Sequence, residues 1–351
     1  MLQTQKEAVT LYREAPTQLL MQMAQEIRYR NIPEKAVSWQ IDRNVNIGNV
    51  CISGCLFCTF HCRKHEKNKT IVTSWDEYKQ KMDSMRALGG DQLLLQGGLH
   101  PDWGIEHYED IFRFLKGYAS DIKLHALGPP EIAHIAKISR LSYRTVLERL
   151  TAAGLDSLPG AGAEILSDRV RKIISPAKPN TQAWLDVMCE AHKMGLLTSA
   201  TMVFGHIETL EERIDHLFAI RNLQALKPTG VPGFRSFICW PMQTKGTLLA
   251  QKFKISPITP VEYIRTIAIS RIILHNIPNI QVSWLTVGIP VAQLCLHAGA
   301  NDMGSIMIEE NVLSAAGTHN RLNATQMQDA IRAAGFEPWL RDQRYQKRMS
   351  F

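Results

Sequence analysis

The sequence predicts an α/β protein, and within that class a (β/α) TIM-type barrel, on three observations. Strand-like apolar runs alternate with helical stretches along most of the 351 residues. The runs are nearly continuous in apolar character, as expected for parallel strands covered on both faces. Polar, glycine-bearing motifs follow the runs, where a barrel's strands end and its active site collects. An open doubly wound sheet would show the same alternation, but no G-x-G-x-x-G opens the first helix.

Residues 5–29 carry Ala8, Leu11, Leu19, Leu20, Met23 and Ile27 near helical spacing, with Pro16 placed to break or kink the helix. A linker with Pro33 leads into Val37–Ile47, where apolar residues alternate as in a strand. Further strands are expected at Gln92–Gln96, Ile122–Leu127, Leu155–Leu158, Leu197–Phe204, Phe234–Trp240 and Ile280–Thr286. Helices are expected between them at 75–88, 106–119, 142–153, 181–194, 209–226 and 260–275. Each interval is long enough for the crossover helix that a parallel pair needs. The expected division is an N-terminal helical extension over 1–36, the barrel over 37–310, and a C-terminal helical or extended segment over 311–351 packed on the barrel.

Composition excludes several classes. No apolar stretch reaches the roughly 20 residues of a membrane span, and the N-terminus lacks a signal peptide's apolar stretch. A cytoplasmic protein with no membrane partner is expected. The net charge is +7, with basic residues densest at Arg63–Lys69 and Arg341–Arg348. Neither group has interleaved aromatics or a binding motif, so both read as a solvated loop and a solvated tail, without nucleic acid as partner. A basic surface would also favour an acidic electron-donor protein. Seven cysteines is an odd number, and their clustering is wrong for a disulfide framework. Cys189, Cys239 and Cys295 stand alone in apolar contexts and read as small core residues.

The chemistry concentrates in Cys51-Ile-Ser-Gly-Cys55-Leu-Phe57-Cys58, directly after the first strand. Thiolates at x3 and x2 spacing in a glycine-containing loop can face one iron–sulfur cluster. With three ligands, a four-iron cubane keeps one iron open for a small molecule. Two alternatives compete. Cys62 extends the run to C-x3-C-x2-C-x3-C, near a ferredoxin pattern, but the first spacing is one residue long and Arg63 stands where Pro is expected. Zinc would want a second, distant pair, and none occurs.

The strand ends supply the remaining candidates. Gln96-Gly97-Gly98-Leu-His100-Pro follows the second strand, and its paired glycines allow close backbone approach to a ligand. The third ends in His125-Ala-Leu-Gly-Pro-Pro-Glu131, where the Pro pair starts a helix. His125 reads either as an acid or base pointing inward or as a satisfied core histidine. The fourth strand gives Pro159-Gly-Ala-Gly-Ala-Glu164, whose carboxylate suits a cationic, ribose-bearing ligand. The fifth gives Gly205-His206-Ile-Glu208-Thr209, in which Thr209 with Glu212 is a capping box. Ser283-Trp284 and the run Asn301-Asp302-Met-Gly-Ser-Ile-Met-Ile-Glu309-Glu310-Asn311 come last. So many polar groups in an apolar region are costly to bury without partners, so the run reads as a substrate site.

Together these motifs resemble the radical S-adenosylmethionine (SAM) superfamily. They are most similar to the branch that includes the menaquinone enzymes of the futalosine route and the deazaflavin synthases. Gly205-His-Ile-Glu-Thr-Leu-Glu-Glu-Arg213, Ser283-Trp284 and Gly299–Val312 look most like the cyclic dehypoxanthine futalosine synthase family. The likeness runs from about residue 10 to residue 340; Thr59, His61, Cys62, Gly128, Ala161 and Met242 depart from the family pattern. It implies a [4Fe-4S] cluster on Cys51, Cys55 and Cys58, with SAM contacted by Phe57, Gly97, Gly98, Glu164, His206 and Glu208. It also implies a ferredoxin- or flavodoxin-type electron donor and dehypoxanthine futalosine as substrate, with Trp284, Asn301, Glu309 and Glu310 as its contacts. The implied reaction removes the ribose C4′ hydrogen, joins C4′ to the benzoate ring and restores aromaticity by loss of an electron and a proton. His100, His125 and Asp302 are the candidates for the proton acceptor, and Arg235 for the cation facing the benzoate. An aminofutalosine synthase or deazaflavin-type carbon–carbon bond former is the alternative within the branch. A four-cysteine electron carrier is the alternative from another class.

Overall fold

The structure is a computed structural model that describes residues 2–32, 34–309 and 322–348. Ten strands form one sheet: β1 (Ala36–Gln40), β2 (Asp42–Asn46), β3 (Gln92–Gln96), β4 (Lys123–Ala126), β5 (Ser157–Leu158), β6 (Leu197–Phe204), β7 (Phe234–Pro241), β8 (Asn279–Gln281), β9 (Asp302–Ser305) and β10 (Glu337–Leu340). Every pairing is parallel, in the order β10-β1-β9-β8-β7-β6-β5-β4-β3-β2. β1, next to last at one end of that order, runs on into β2 at the other end, because only Ile41 separates them. Ala36–Asn46 is thus one interrupted strand. Its first half lies between β9 and β10, and its second half pairs with β3 from Asp42↔Gln92 to Asn46↔Gln96. With β3 to β9 it makes the TIM-type barrel, and β10 adds outside.

Helices cover the sheet as crossovers: α3 (Trp75–Ala87), α4 (Ile105–Tyr118), α5 (Pro129–Ser139), α6 (Tyr143–Ala153), α7 (Asp168–Ile174), α8 (Thr181–Lys193), α9 (Leu210–Ala225), α10 (Leu248–Lys252), α11 (Pro260–Ile273), α12 (Trp284–Val287), α13 (Ile289–Leu296) and α14 (Ala324–Ala333). The buried stripe of α4, Ile105, Tyr108, Ile111, Phe112 and Leu115, has the i, i+3, i+4 spacing of one helix face. Ser74 with Glu77 and Thr209 with Glu212 form capping boxes that start α3 and α9. The N-terminal stretch is two helices, α1 (Gln5–Glu14) and α2 (Thr17–Asn31), and Pro16 stands at the break as the cap of α2. The buried Arg28 pins α2 to the barrel entrance by donating to the carbonyls of Glu34 and Ala36.

The structure corrects three expectations. The strand foreseen over Ile280–Thr286 ends at Gln281, and α12 follows. The Tyr263 hydroxyl accepts from the Ser283 N–H, and the Thr286 hydroxyl bonds back to Ser283, which closes a helical turn. The polar run after Asn301 opens with β9, so Asp302–Ser305 is a barrel strand despite its poor strand composition. The segment read as a solvated basic tail instead folds back under the barrel. Arg341 is buried against Asp302, and Arg348 reaches the Gly89 carbonyl and Asp91. Cys239 and Cys295 are core residues, whereas Cys189 is half-buried at the core's edge.

Candidate active site

Along the first strand, Gln40, Asp42, Asn44 and Asn46 line the barrel's interior, while Ile41, Val45 and Ile47 join the hydrophobic core. Gln92 and Gln96 continue the polar lining on β3. This side of the inward face is polar, while Val203, Ile238, Met242 and Leu285 make the opposite side apolar, and the barrel holds a cavity of about 450 Å³ rather than close-packed side chains. The cavity runs from the loops after the strands to Arg341, Gln343 and Tyr345 of the C-terminal segment, which form its floor.

Cys51, Cys55 and Cys58 all line the cavity and are free thiols. The Ser53 hydroxyl lies 2.9 Å from the Cys51 sulfur and 3.3 Å from that of Cys55, and the Leu99 N–H donates to Cys51 Sγ at 3.2 Å. Burial pushes the Cys55 thiol up, against the pull of Lys178. At the half-buried Cys58 desolvation pushes the same way, yet the His61 side chain and the N–H groups of Phe60 and His61 hold its thiol below the usual range. Cys62 behaves differently. It is buried off the cavity, its sulfur donating to Asn49 Oδ1 at 3.3 Å, while its backbone pairs with Asn49 and Cys51. Among the described residues no three His, Cys, Asp or Glu side chains gather closely enough for a single metal ion. Three separated sulfurs around a shared volume suit a polynuclear cluster, not zinc. The donor set, the N–H and hydroxyl groups around it, and the exclusion of Cys62 all fit a cluster with one open iron.

Beside this mouth, Lys178 pairs with Glu164 at 2.6 Å and lies 5.4 Å over the Phe57 ring. Burial opposes the ammonium charge, but Cys55 and Glu164 outweigh it and keep Lys178 protonated. Glu164 is 4% exposed, has a left-handed backbone (φ 41°), and its second carboxylate oxygen is enclosed without a partner. Glu164 therefore keeps spare hydrogen-bonding capacity in the cavity wall. Gly97 and Gly98 line the same wall. A side chain on Gly98 would meet the Val50 carbonyl at 2.2 Å, so this glycine lets the cysteine loop pack against β3's end. Glu131, missed as a lining residue, accepts from the Gly128 N–H, and burial pushes its carboxyl up to about 7.

The other candidates separate. His125 and Trp284 line the cavity; the Trp284 indole donates to the Ser305 carbonyl at 3.0 Å. His100 lies outside it, its ring stacked on Trp103 at 4.1 Å. His206 and Glu208 also stay off the cavity wall. Glu208 binds Arg213 at 2.8 Å and accepts the N–H groups of Gly205 and His206, so it closes the turn after β6. Asn301 joins β8 to α11 by accepting from the Ile280 N–H and from Arg271 at 2.6 Å. Asp302 is fully buried and spent on Arg341 and Ser38, each at 2.5 Å. Glu309 meets Arg43 and Lys81 away from the cavity, and Glu310 lies outside the described residues. Arg235 lines the lower cavity and donates to the Arg344 carbonyl. Sequence reasoning passed over Asp42, Lys178, Ser157 and Arg341. The alternation of Gln40, Asp42, Asn44 and Asn46 was the available signal for a polar inner wall.

A parallel barrel with a three-thiol mouth over an interior cavity fits the radical SAM class of enzyme, and residues 45–220 match the Radical SAM superfamily. Residues 231–350 match the CofH/MqnC C-terminal region. The chain belongs to that superfamily and, within it, to the family of cyclic dehypoxanthine futalosine synthase. It is 42% identical over 345 residues to the cyclic dehypoxanthine futalosine synthase of Streptomyces coelicolor, covering 98% of this chain and 85% of that protein. It is also 38% identical to the 5-amino-6-(D-ribitylamino)uracil–L-tyrosine 4-hydroxyphenyl transferase 2 of Methanosarcina barkeri, covering 98% of this chain and 88% of that one. In fold it resembles the FeFe-hydrogenase maturase HydG from Carboxydothermus hydrogenoformans, with a TM-score of 0.75, 16% identity, and coverage of 99% and 78%. No helix among the described residues is long and apolar enough to cross a membrane.

Proposed function

We propose that this chain converts dehypoxanthine futalosine to cyclic dehypoxanthine futalosine, a step of menaquinone biosynthesis, as a radical SAM cyclase. The observation that carries the reading is the set of three cavity-lining thiols with Cys62 turned away, in a chain 42% identical to a synthase of that name. Cys51, Cys55 and Cys58 would hold a [4Fe-4S] cluster, which with SAM supplies a one-electron-generated 5′-deoxyadenosyl radical for hydrogen abstraction. Lys178 and Glu164 offer one cation and one spare carboxylate oxygen beside Cys55, a pairing that suits the charged methionyl end and the hydroxyls of a nucleoside. Phe57 and the Gly97–Gly98 backbone complete that wall. The cavity below would hold the ribose near the abstracting group, where positioning supplies much of the rate. An acidic one-electron donor of the ferredoxin or flavodoxin kind would reduce the cluster.

The transferase reading rests on the 38% identity to the Methanosarcina protein. One assay separates the two. Reconstituted protein is incubated anaerobically with SAM, dithionite and either dehypoxanthine futalosine or the uracil and tyrosine pair. A product two hydrogens lighter than dehypoxanthine futalosine, with 5′-deoxyadenosine, is expected. A joined uracil–tyrosine product in its place would assign the chain to the transferases.

A further inference from the structure

The cyclase reading requires a group that takes a proton as the ring regains aromaticity, and the sequence leaves His100, His125 and a carboxylate of 302–310 in contention. The structure separates them. His100 is stacked on Trp103 outside the cavity. Asp302 is bound by Arg341 and Ser38, and Glu309 by Arg43 and Lys81. Other acids and bases on the cavity wall are also engaged, among them His61, which is held by the Cys58 side chain and lies with its Nδ1 3.1 Å from the Cys58 carbonyl. Glu164 holds Lys178, and Glu131 caps α5 through the Gly128 N–H. Asp42 spends Oδ2 on the amides of Gln40 and Gln92, and its Oδ1 is enclosed by the wall.

His125 stands apart. It sits midway along the barrel on β4, opposite Ser157 of β5 in the parallel register, so both side chains share one face. Its Nδ1 lies 2.6 Å from the Ser157 hydroxyl, and the Ser157 carbonyl also favours a proton on the ring. Ser157 is fully buried, so the bond is shielded from water. The second ring nitrogen has no protein partner among the described residues and is not one of the enclosed unsatisfied atoms, so it opens to the cavity. Burial, with the Arg341 charge beneath, keeps the imidazole neutral, its pKa lowered to about 3. A ring with one nitrogen tethered by Ser157 and the other open to the cavity can take a proton at that second atom.

We propose that His125 Nε2 accepts the ring proton in the last step of the cyclisation, and that Ser157 is the positioning residue that fixes the ring. The proposal rests on the cyclase reading. In that step C4′ has already bonded to a ring carbon that still bears its hydrogen. The C–H bond breaks and the proton goes to Nε2. The electron pair of that bond rejoins the ring's π system, and the surplus single electron passes to an oxidised one-electron acceptor of the iron–sulfur class.

The test is the ratio of cyclised product to 5′-deoxyadenosine, measured by mass spectrometry in the reconstituted holoenzyme with dehypoxanthine futalosine. His125→Gln keeps a donor to Ser157 and nearly the same volume but removes the base. It is expected to form 5′-deoxyadenosine within about threefold of the unaltered enzyme, while product per 5′-deoxyadenosine falls tenfold or more, the usual scale of lost general base catalysis. Ser157→Ala is expected to lower the same ratio by a smaller factor, without change in the cluster's absorption spectrum. A ratio unchanged in His125→Gln would overturn the proposal, as would loss of 5′-deoxyadenosine with the cluster intact, since the histidine would then act before the ring step. If the unaltered enzyme makes 5′-deoxyadenosine but no cyclised product, the cyclase reading itself fails, separately from the role of His125.

Discussion

The mouth and the floor of this barrel are built by opposite strategies. At the mouth, eight consecutive residues from Cys51 to Cys58 bring all three thiols to the cavity, and one hydroxyl, Ser53, serves two of them. At the floor, Gln40 and Asp42, Gln92, Asp302 and the segment from Arg341 to Tyr345 come from four separate parts of the chain. The mouth is designed to bind something the chain does not contain, so its groups are left ready. The floor is tied mainly to itself: Arg341 donates to Asp302 and Gln40, and stacks its guanidinium 3.9 Å from the centre of the Tyr345 ring, while Asp42 Oδ1 and Gln343 Nε2 stay enclosed without a partner. Chemistry belongs to the first and closure to the second.

That contrast is sharpest in two substitutions that should damage different properties. Cys55→Ser is expected to abolish 5′-deoxyadenosine formation while leaving the urea midpoint of the cluster-free protein within experimental scatter, because a buried thiol and a hydroxyl are close in size. Arg341→Met should do the reverse. It leaves the Asp302 carboxylate buried without its cation, a loss of about 3–5 kcal/mol, readable as a lower urea midpoint at unchanged m. If Arg341→Met instead spared stability and raised the KM for substrate, the floor would be a binding surface and the contrast would break.

Outside both regions, the buried histidines of the wall set the acid limit. His192 and His216 are held neutral by burial, with pKa values lowered to about 4 and about 3. At these two sites, and at His125, the unfolded chain binds more protons than the folded one below pH 6.5, so their contribution to stability falls as pH drops through that window, offset in part by the raised carboxyls of Glu131 and Asp91. Each histidine should cost about 2 kcal/mol at pH 5 relative to neutral pH. Urea midpoints measured from pH 7.5 to 5 should decline, and His216→Gln should flatten that slope. The smallest expected effect is Thr209→Ala at the start of α9, about 1 kcal/mol from the lost cap. It should alter thermal stability only, because the Glu208 turn beside it is held by Arg213.

How legible each part was follows from the same contrast. Strand and helix alternation revealed the barrel because crossover helices such as α4 show an apolar face, although α11 is buried on nearly all sides. The cysteine loop was legible because ligand spacing is local. His206 and Glu208 looked like cofactor contacts because they follow a strand, yet they close their own turn; sequence cannot tell a carboxylate turned to a ligand from one turned to Arg213. Asp302 misled for the same reason, since its partner Arg341 lies 39 residues further on. Residues 341–348 looked solvated because basic composition does not reveal a buried acid waiting for it. Lys178, between two loops, carries no motif, and its place beside Glu164 emerges only in the folded chain.

The most direct test of the central claim is the behaviour of Cys62→Ala, measured as iron per chain and 5′-deoxyadenosine formed after anaerobic reconstitution. The account predicts a full four-iron content and SAM cleavage close to that of the unaltered protein, because the Cys62 sulfur faces Asn49 and not the cavity. Loss of the cluster, with no SAM cleavage, would make Cys62 a fourth ligand and the chain an electron carrier.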